Sequence, residues 1–181
     1  MEFEKFPKIA RLSREIVITE KIDGTNAQIY IGENGEFLTG SRKRWITPND
    51  DNFGFSRWAH EHKDELIEGL GIGRHYGEWW GSGIQRGYGL PKGEKRFSLF
   101  NTNRWSNDLI RPQCCYVVPI LYCGNFDTNE IINQLDLLKL KGSVAAPRFM
   151  NPEGVVIFHT ASSTLYKKTI LNDEKGKGLE S

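Results

Sequence analysis

Apolar positions in this sequence fall into short runs rich in β-branched and aromatic residues, which glycine, asparagine and aspartate separate. Such runs predict β-strands, and the Glu33-Asn34-Gly35 segment between two of them predicts a hairpin. The predicted strands are Glu15 to Thr19, Ala27 to Ile31, Glu36 to Gly40, Tyr76 to Trp79, Phe97 to Phe100, Tyr116 to Cys123, Val155 to His159 and Thr164 to Thr169.

Two segments have the periodicity of an amphipathic helix. The first is an apolar stripe between Phe55 and Leu70. The second follows Asp127-Thr128-Asn129-Glu130, which resembles a capping box, and ends near Lys141-Gly142, where a basic last turn precedes glycine. Eight predicted strands together with two predicted helices indicate an α+β domain, in which antiparallel sheets are flanked by helices.

Composition narrows the class of protein. A chain of 181 residues fits one domain, and 24 Lys and Arg against 23 Asp and Glu exclude a globally basic nucleic-acid coat protein but not a local basic groove. The sequence has no apolar run long enough for a transmembrane helix and no apolar leader after Met1. Three cysteines form neither a disulfide framework nor a Cys-x-x-Cys pair, so we expect a cytoplasmic protein with reduced thiols.

Lys21 lies in the segment Glu20-Lys21-Ile22-Asp23-Gly24-Thr25-Asn26, between two predicted strands. An amine flanked by two carboxylates at a strand end suits a nucleophile, and the following glycine permits a tight turn. By itself, the tetrapeptide Lys21-Ile22-Asp23-Gly24 is also compatible with a polar β-turn.

Further candidate residues follow in order along the chain. Arg42 comes directly after the third strand, and Glu78 is a carboxylate within an aromatic strand, where a charge is costly unless it is paired. Singly, they are also explained by a solvated turn and a core ion pair. The later candidates are Phe97 and Phe100 in an aromatic strand, Glu153 before a strand, and the adjacent Lys167 and Lys168 in the last strand.

Taken together, these signals resemble the covalent nucleotidyltransferase superfamily of nucleic-acid ligases and capping enzymes, most closely the RNA ligase family. The run from Gly77 to Gln85 is similar to the Gly-Glu-x-x-Gly-x-Gly-Ile-Gln signature of phage T4 RNA ligase 2-like enzymes. The Gly24-Thr25-Asn26 ending of the lysine motif is typical of that group. The resemblance covers about residues 15–170 and implies an ATP-grasp-like ligase core.

The resemblance also implies roles for the residues around the lysine. Lys21, with Asp23 in the same catalytic motif, would take AMP from ATP as a lysyl-phosphoramidate. Glu20 would lie at the adenine edge, while Asn26 and Arg42 would touch the ribose or the phosphates.

Roles for the later motifs follow in the same way. Glu78 would bind a ribose hydroxyl or help to hold Mg²⁺ or Mn²⁺, and Phe100 would stack on adenine. Glu153 would act with the metal at the α-phosphate. Lys167 or Lys168 would hold the phosphate, and because relatives space these two lysines by one residue, the sequence leaves open which one does so.

We therefore expect an ATP-dependent RNA ligase that joins RNA 3′-hydroxyl and 5′-phosphate ends. Residues 1–171 would form a bare catalytic core and 172–181 a polar tail, with no OB-fold, and an accessory protein is a candidate to supply the missing nucleic-acid-binding domain. The alternatives are a DNA ligase core of the same chemistry and a non-catalytic nucleotide- or RNA-binding module. Five residues are candidates for a strand-binding surface: Arg86, Lys92, Lys95, Arg104 and Trp105.

Overall fold

The computed structural model describes residues 1–174, so residues 175–181 of the expected polar tail lie outside the described part. Within this range the chain forms two β-sheets, four α-helices and one 3-10 helix, Gly87–Gly89. The strands are Glu15–Lys21 (β1), Thr25–Ile31 (β2), Phe37–Ser41 (β3), Trp45–Ile46 (β4), Gly73–Gly81 (β5), Lys95–Leu99 (β6), Cys115–Val117 (β7), Ile120–Asn125 (β8), Gly154–His159 (β9) and Thr164–Thr169 (β10). The helices are Phe55–Glu61 (α1), Lys63–Leu70 (α2), Thr102–Trp105 (α3) and Thr128–Lys141 (α4).

A small sheet and a large sheet share the chain. The small sheet has the order β10-β9-β1-β8 and is antiparallel throughout. The large sheet has the order β4-β3-β2-β5-β6-β7, in which only the β6–β7 pair is parallel. The α+β prediction with antiparallel sheets is confirmed, and the short connection from β1 to β2 carries the chain from one sheet to the other.

Each sheet buries one face against helices because its strands alternate apolar and polar side chains. Helices α1 and α2 contribute Phe55 and Leu66 to the core beneath the large sheet. Helix α4 packs Leu135 and Leu138 on the small sheet. A third buried cluster of Ile22, Trp80, Tyr88, Val118 and Ala146 lies where the two sheets meet. The opposite faces of both sheets are thereby left available to line a site.

Two predicted elements differ from the structure, and one short helix was not predicted. The single strand expected at Tyr116 to Cys123 is wrong, because the chain leaves the large sheet at Val117 and enters the small sheet at Ile120. Pro119 lies at this change of sheet and has no N–H to donate to a ladder. The apolar stripe ending at Leu70 is divided into two helices at His62, and α3 had no periodic signal because it spans four residues.

Candidate active site

Lys21 is the last residue of β1, an inner strand of the small sheet, and its side chain lies at the end of that strand. The Nζ atom donates a hydrogen bond to Oε2 of Glu153 at 2.6 Å, and the two side chains are 20% and 7% exposed. Glu153 immediately precedes β9, whose first residue, Gly154, pairs with Lys21 across the sheet. Strand pairing therefore brings two motifs 132 residues apart into one ion pair that is open to solvent on one side.

The register of β10 separates the two adjacent lysines. Lys167 pairs with Val156, which pairs with Thr19 on the face that carries Lys21. Lys168 falls on the other face, since neighbouring residues of a strand project in opposite directions. Its Nζ atom bonds Asp173 at 2.9 Å. The structure thus places Lys167, and not Lys168, on the face of the candidate nucleophile.

Gly154 allows β10 to lie this close to the site. A Cβ atom at this position would come 2.2 Å from the carbonyl oxygen of Lys168. Gly24 has a similar role on the other side, because its Cβ would come 2.5 Å from the carbonyl oxygen of Trp79 in β5. The glycine of the lysine motif is therefore needed for a close backbone approach that pins the β1–β2 connection to the large sheet.

Glu78 is the large sheet's contribution to the site. Its carboxylate accepts hydrogen bonds from the Gly24 amide and from the Asn26 side chain, each at 3.1 Å. Burial raises the pKa of the Glu78 carboxyl from 4.5 to about 7, although the nearby Lys21 charge opposes that rise. Glu153 and Asp23 also act on Glu78 electrostatically. The candidate residues of both sheets therefore form one interacting set.

Asp23 is held by Arg86, which also bonds the segment before β9. The guanidinium donates to Oδ2 of Asp23 at 3.0 Å, and to the carbonyl oxygens of Asn151 and Pro152 at 3.0 Å each. Arg86 therefore fastens the lysine motif to the segment that carries Glu153. Its Nε and Nη1 atoms bond within the protein, so Arg86 has a positioning role in addition to its predicted place on a strand-binding surface.

Tyr88 is a further positioning residue, which the motif analysis missed. Its hydroxyl accepts a hydrogen bond from the Asp23 amide at 2.9 Å, and burial raises the pKa of the phenol well above its usual range. The only sequence signal is its place in Gly87-Tyr88-Gly89, which continues the glycine-rich run after Glu78. The glycine-rich run thus positions the lysine motif through the hydrogen bond between the Tyr88 hydroxyl and the Asp23 amide.

The Glu20 side chain lies on the opposite face of β1 from Lys21. Glu20 is 1% exposed and faces away from Lys21, as alternation along β1 requires. Its carboxylate accepts bonds from the Ser143 hydroxyl at 2.6 Å and from the amides of Val144 and Ala145 at 2.8 and 2.9 Å. Burial raises its pKa, and these donors partly oppose that rise. The carboxylate thus holds the loop after α4.

The remaining predicted residues are spread over the large sheet. Phe100 follows β6, is 41% exposed and donates its amide hydrogen to Tyr76 of β5, whereas Phe97 is fully buried in the core. Arg42 is exposed just beyond β3. Trp105, expected on a nucleic-acid surface, is instead 2% exposed.

Two more candidates for that surface have bonds within the protein. Arg104 donates to the Leu70 carbonyl oxygen at 2.6 Å, and Lys95 donates to that of Phe53 at the same distance. Lys92 is exposed. Trp105 is the buried member of the proposed set, and the other four residues keep exposed or half-exposed positions.

A divalent cation fits the donor set on chemical grounds. Carboxylate oxygens are the ligands that Mg²⁺ prefers, and it commonly takes one or two of them together with phosphates and several waters. Glu153 is bonded to a cationic amine, so it already lies where positive charge is stabilised. Among residues 1–174, no group of three or more His, Cys, Asp or Glu is arranged to hold a metal ion.

Comparison with known proteins identifies the family. The family model for RNA ligase matches residues 14–170. The chain belongs to the RNA ligase family. A search of curated proteins found no match. No helix in the described part of the chain is long and apolar enough to span a bilayer.

Solved structures similar to this RNA ligase family member share its fold. A variant of Naegleria gruberi RNA ligase with ATP and Mn has a TM-score of 0.66 at 18% identity, covering 87% of this chain and 50% of that one. A second variant, with AMP and Mn, has a TM-score of 0.62 at 18% identity, covering 86% and 49%. A third, without ligand, has a TM-score of 0.61 at 20% identity, with the same coverage. The chain spans about half the length of these relatives.

Proposed function

We propose that this chain is an ATP-dependent RNA ligase that joins a 3′-hydroxyl to a 5′-phosphate through a lysyl-AMP intermediate. The observation that carries the proposal is the contact between Lys21 and Glu153 beside Glu78, in a member of the RNA ligase family. Membership favours this reading over a DNA ligase core. A binding module would not require an amine held at a solvent-open edge.

Three steps would follow one another. In the first, the unprotonated Lys21 amine forms a bond to the α-phosphorus of ATP, and the bond to pyrophosphate breaks. In the second, the RNA 5′-phosphate takes AMP from Lys21, which forms a 5′-5′ anhydride. In the third, a 3′-hydroxyl attacks the 5′-phosphorus, loses its proton, and displaces AMP. Each step replaces one bond to phosphorus by another, so positioning and charge neutralisation are the main requirements.

The residues around Lys21 supply these requirements. Lys167 would contact the phosphate oxygens from the face it shares with Lys21, and Asn26 would contact the ribose from the large sheet. Glu153 accepts a hydrogen bond from Nζ and orients it before attack. A bound Mg²⁺ or Mn²⁺ would neutralise charge that develops on the phosphate oxygens.

The intact mass of the protein after incubation with ATP and Mg²⁺ tests the proposal. Wild type should gain the mass of one AMP, the Lys21→Ala variant should gain none, and added pyrophosphate should reverse the gain. A protein that stays unmodified after pyrophosphate has discharged any preloaded AMP would contradict it. Ligation of nicked duplexes with RNA or DNA on the 3′ side then separates an RNA ligase from a DNA ligase.

A further inference from the structure

The open face of the large sheet continues outward from Glu78 as a series of cross-strand rows. The row at the site pairs Asn26 with Glu78, and directly opposite residues of antiparallel strands share a face. The next row along that face contains Trp45, Gly40, Gln28 and Tyr76 on four neighbouring strands. The row after it contains Leu38, Tyr30 and Arg74.

Four side chains in these rows, Tyr30, Trp45, Arg74 and Tyr76, form what we call the aromatic platform. The Arg74 guanidinium lies 5.3 Å from the Tyr30 ring centroid and 5.2 Å from that of Trp45. It also donates to Oε1 of Gln28 at 2.8 Å. Cation–π contacts and this bond hold the guanidinium in place on the sheet.

The platform is solvent-exposed although it is rich in aromatic rings. Trp45 is 44% exposed and Tyr76 is 52% exposed, whereas the opposite face of the same strands is closed by the core. The β3–β4 connection adds the exposed Arg42 and Lys43 beside Trp45. An exposed sheet face that carries several aromatic rings with cationic neighbours is typical of a binding surface rather than of a solvated sheet.

We propose that the aromatic platform binds the single-stranded part of the RNA next to the end that is joined, an inference that rests on the proposed function. Exposed rings on a sheet can stack on unpaired bases, and arginine can bind phosphate. Tyr30 lies four positions after Asn26 on β2, which is about 13 Å along the strand. The platform is therefore continuous with the site and close enough to hold the same strand.

Two substitutions test the platform with matched controls elsewhere on the surface. Trp45→Ala and Arg74→Gln remove a ring and a charge, and Tyr166→Ala and Arg57→Gln remove the same kinds of group from exposed positions outside it. Fluorescence anisotropy would measure binding of a labelled, 5′-phosphorylated RNA single strand of about 12 nucleotides. Thermal unfolding and AMP adduct mass are recorded on every variant.

We expect the platform variants to bind this RNA about tenfold more weakly or worse, with unchanged AMP adduct formation, and the controls to bind as wild type does. Arg74→Gln should also lower the slope of log affinity against log salt by about one. Equal RNA affinity in wild type and in both platform variants overturns the inference. That result is the one expected if the platform binds a protein partner and not RNA.

The two proposals fail in distinguishable ways. Absence of the AMP adduct in wild type, with RNA binding that still depends on Trp45 and Arg74, contradicts the ligase proposal alone. If a platform variant does not fold, photo-crosslinking of wild type to RNA containing 4-thiouridine replaces it. Crosslinks in the peptides that contain Tyr30, Trp45 or Tyr76 support the platform, and crosslinks confined to other peptides overturn it.

Discussion

The two sheets line the candidate site with different kinds of side chain. The small sheet contributes Lys21, Glu153 and Lys167, which are charged residues at or near strand ends. The large sheet contributes Glu78 and an exposed face rich in aromatic rings, of which Tyr76 is an example. Under the proposed function, the small sheet would carry the reacting groups and the large sheet would carry recognition.

Lys167 and Lys168 provide the sharpest test of the small sheet. Lys167→Ala should slow AMP adduct formation by about 100-fold, because a cation on the phosphate oxygens is lost. Lys168→Ala should change the rate by less than about threefold, since that residue bonds Asp173 on the other face. Single-turnover mass spectrometry with ATP measures both rates. Equal losses would show that the register does not determine which lysine acts.

Arg86 tests the connection between the lysine motif and the Glu153 segment. Arg86→Ala should lower the free energy of unfolding by about 2–3 kcal/mol, because it leaves the Asp23 carboxylate and the carbonyl oxygens of Asn151 and Pro152 without this donor. Arg86→Lys should restore little of the loss, since an ammonium cannot span the same acceptors.

Urea unfolding of both Arg86 variants, with Arg57→Ala as an exposed control, measures the effect. If Arg86→Ala unfolds at the same urea concentration as the control, the fastening role is contradicted.

Glu78 tests how the large sheet tolerates a buried carboxylate. Because its folded pKa is about 7 against 4.5, the native state keeps a proton that the unfolded chain has lost between these values. Wild type should therefore lose about 2–3 kcal/mol of stability relative to Glu78→Gln as pH rises from about 4.5 to 7. Denaturant titrations across this range measure the difference. A difference independent of pH would contradict the burial effect.

Phe100 tests recognition with the smallest expected effect. Phe100→Ala should weaken ATP binding about fivefold through loss of stacking, with the rate at saturating ATP nearly unchanged. The ATP dependence of AMP adduct formation measures it, and Phe3→Ala, which removes a ring that is 93% exposed, is the control. Unchanged ATP dependence would place adenine away from Phe100.

Much of the fold could be predicted because its signals are local. The helix after Asp127 begins and ends as predicted, since Asp127 accepts a bond from the Asn129 amide and Gly142 follows the last turn. The break at Pro119 could not be placed by pattern, because β7 and β8 together look like one apolar strand. The segment is divided because β7 pairs with β6 in the large sheet and β8 pairs with β1 in the small sheet.

The candidate residues were chosen by type and order, and their partners were not. Arg86 looked like a surface cation, yet its distance of 63 residues from Asp23 in sequence says nothing of their contact. The resemblance to the RNA ligase family placed Glu20 at the adenine edge, and it carried no information on where the carboxylate points. Alternation along β1 turns it to the other face, where the loop after α4 satisfies it.

The sequence by itself determined the family, the α+β class and the identity of Lys21, Glu78 and Glu153 as the charged candidates, because each depends on residue type within a short motif. Tertiary structure decided which lysine shares a face with Lys21, which carboxylate is turned away, and where exposed rings gather on the large sheet. These outcomes depend on strand register and on pairing between distant segments, and in a sheet a shift of one residue reverses the face of every side chain.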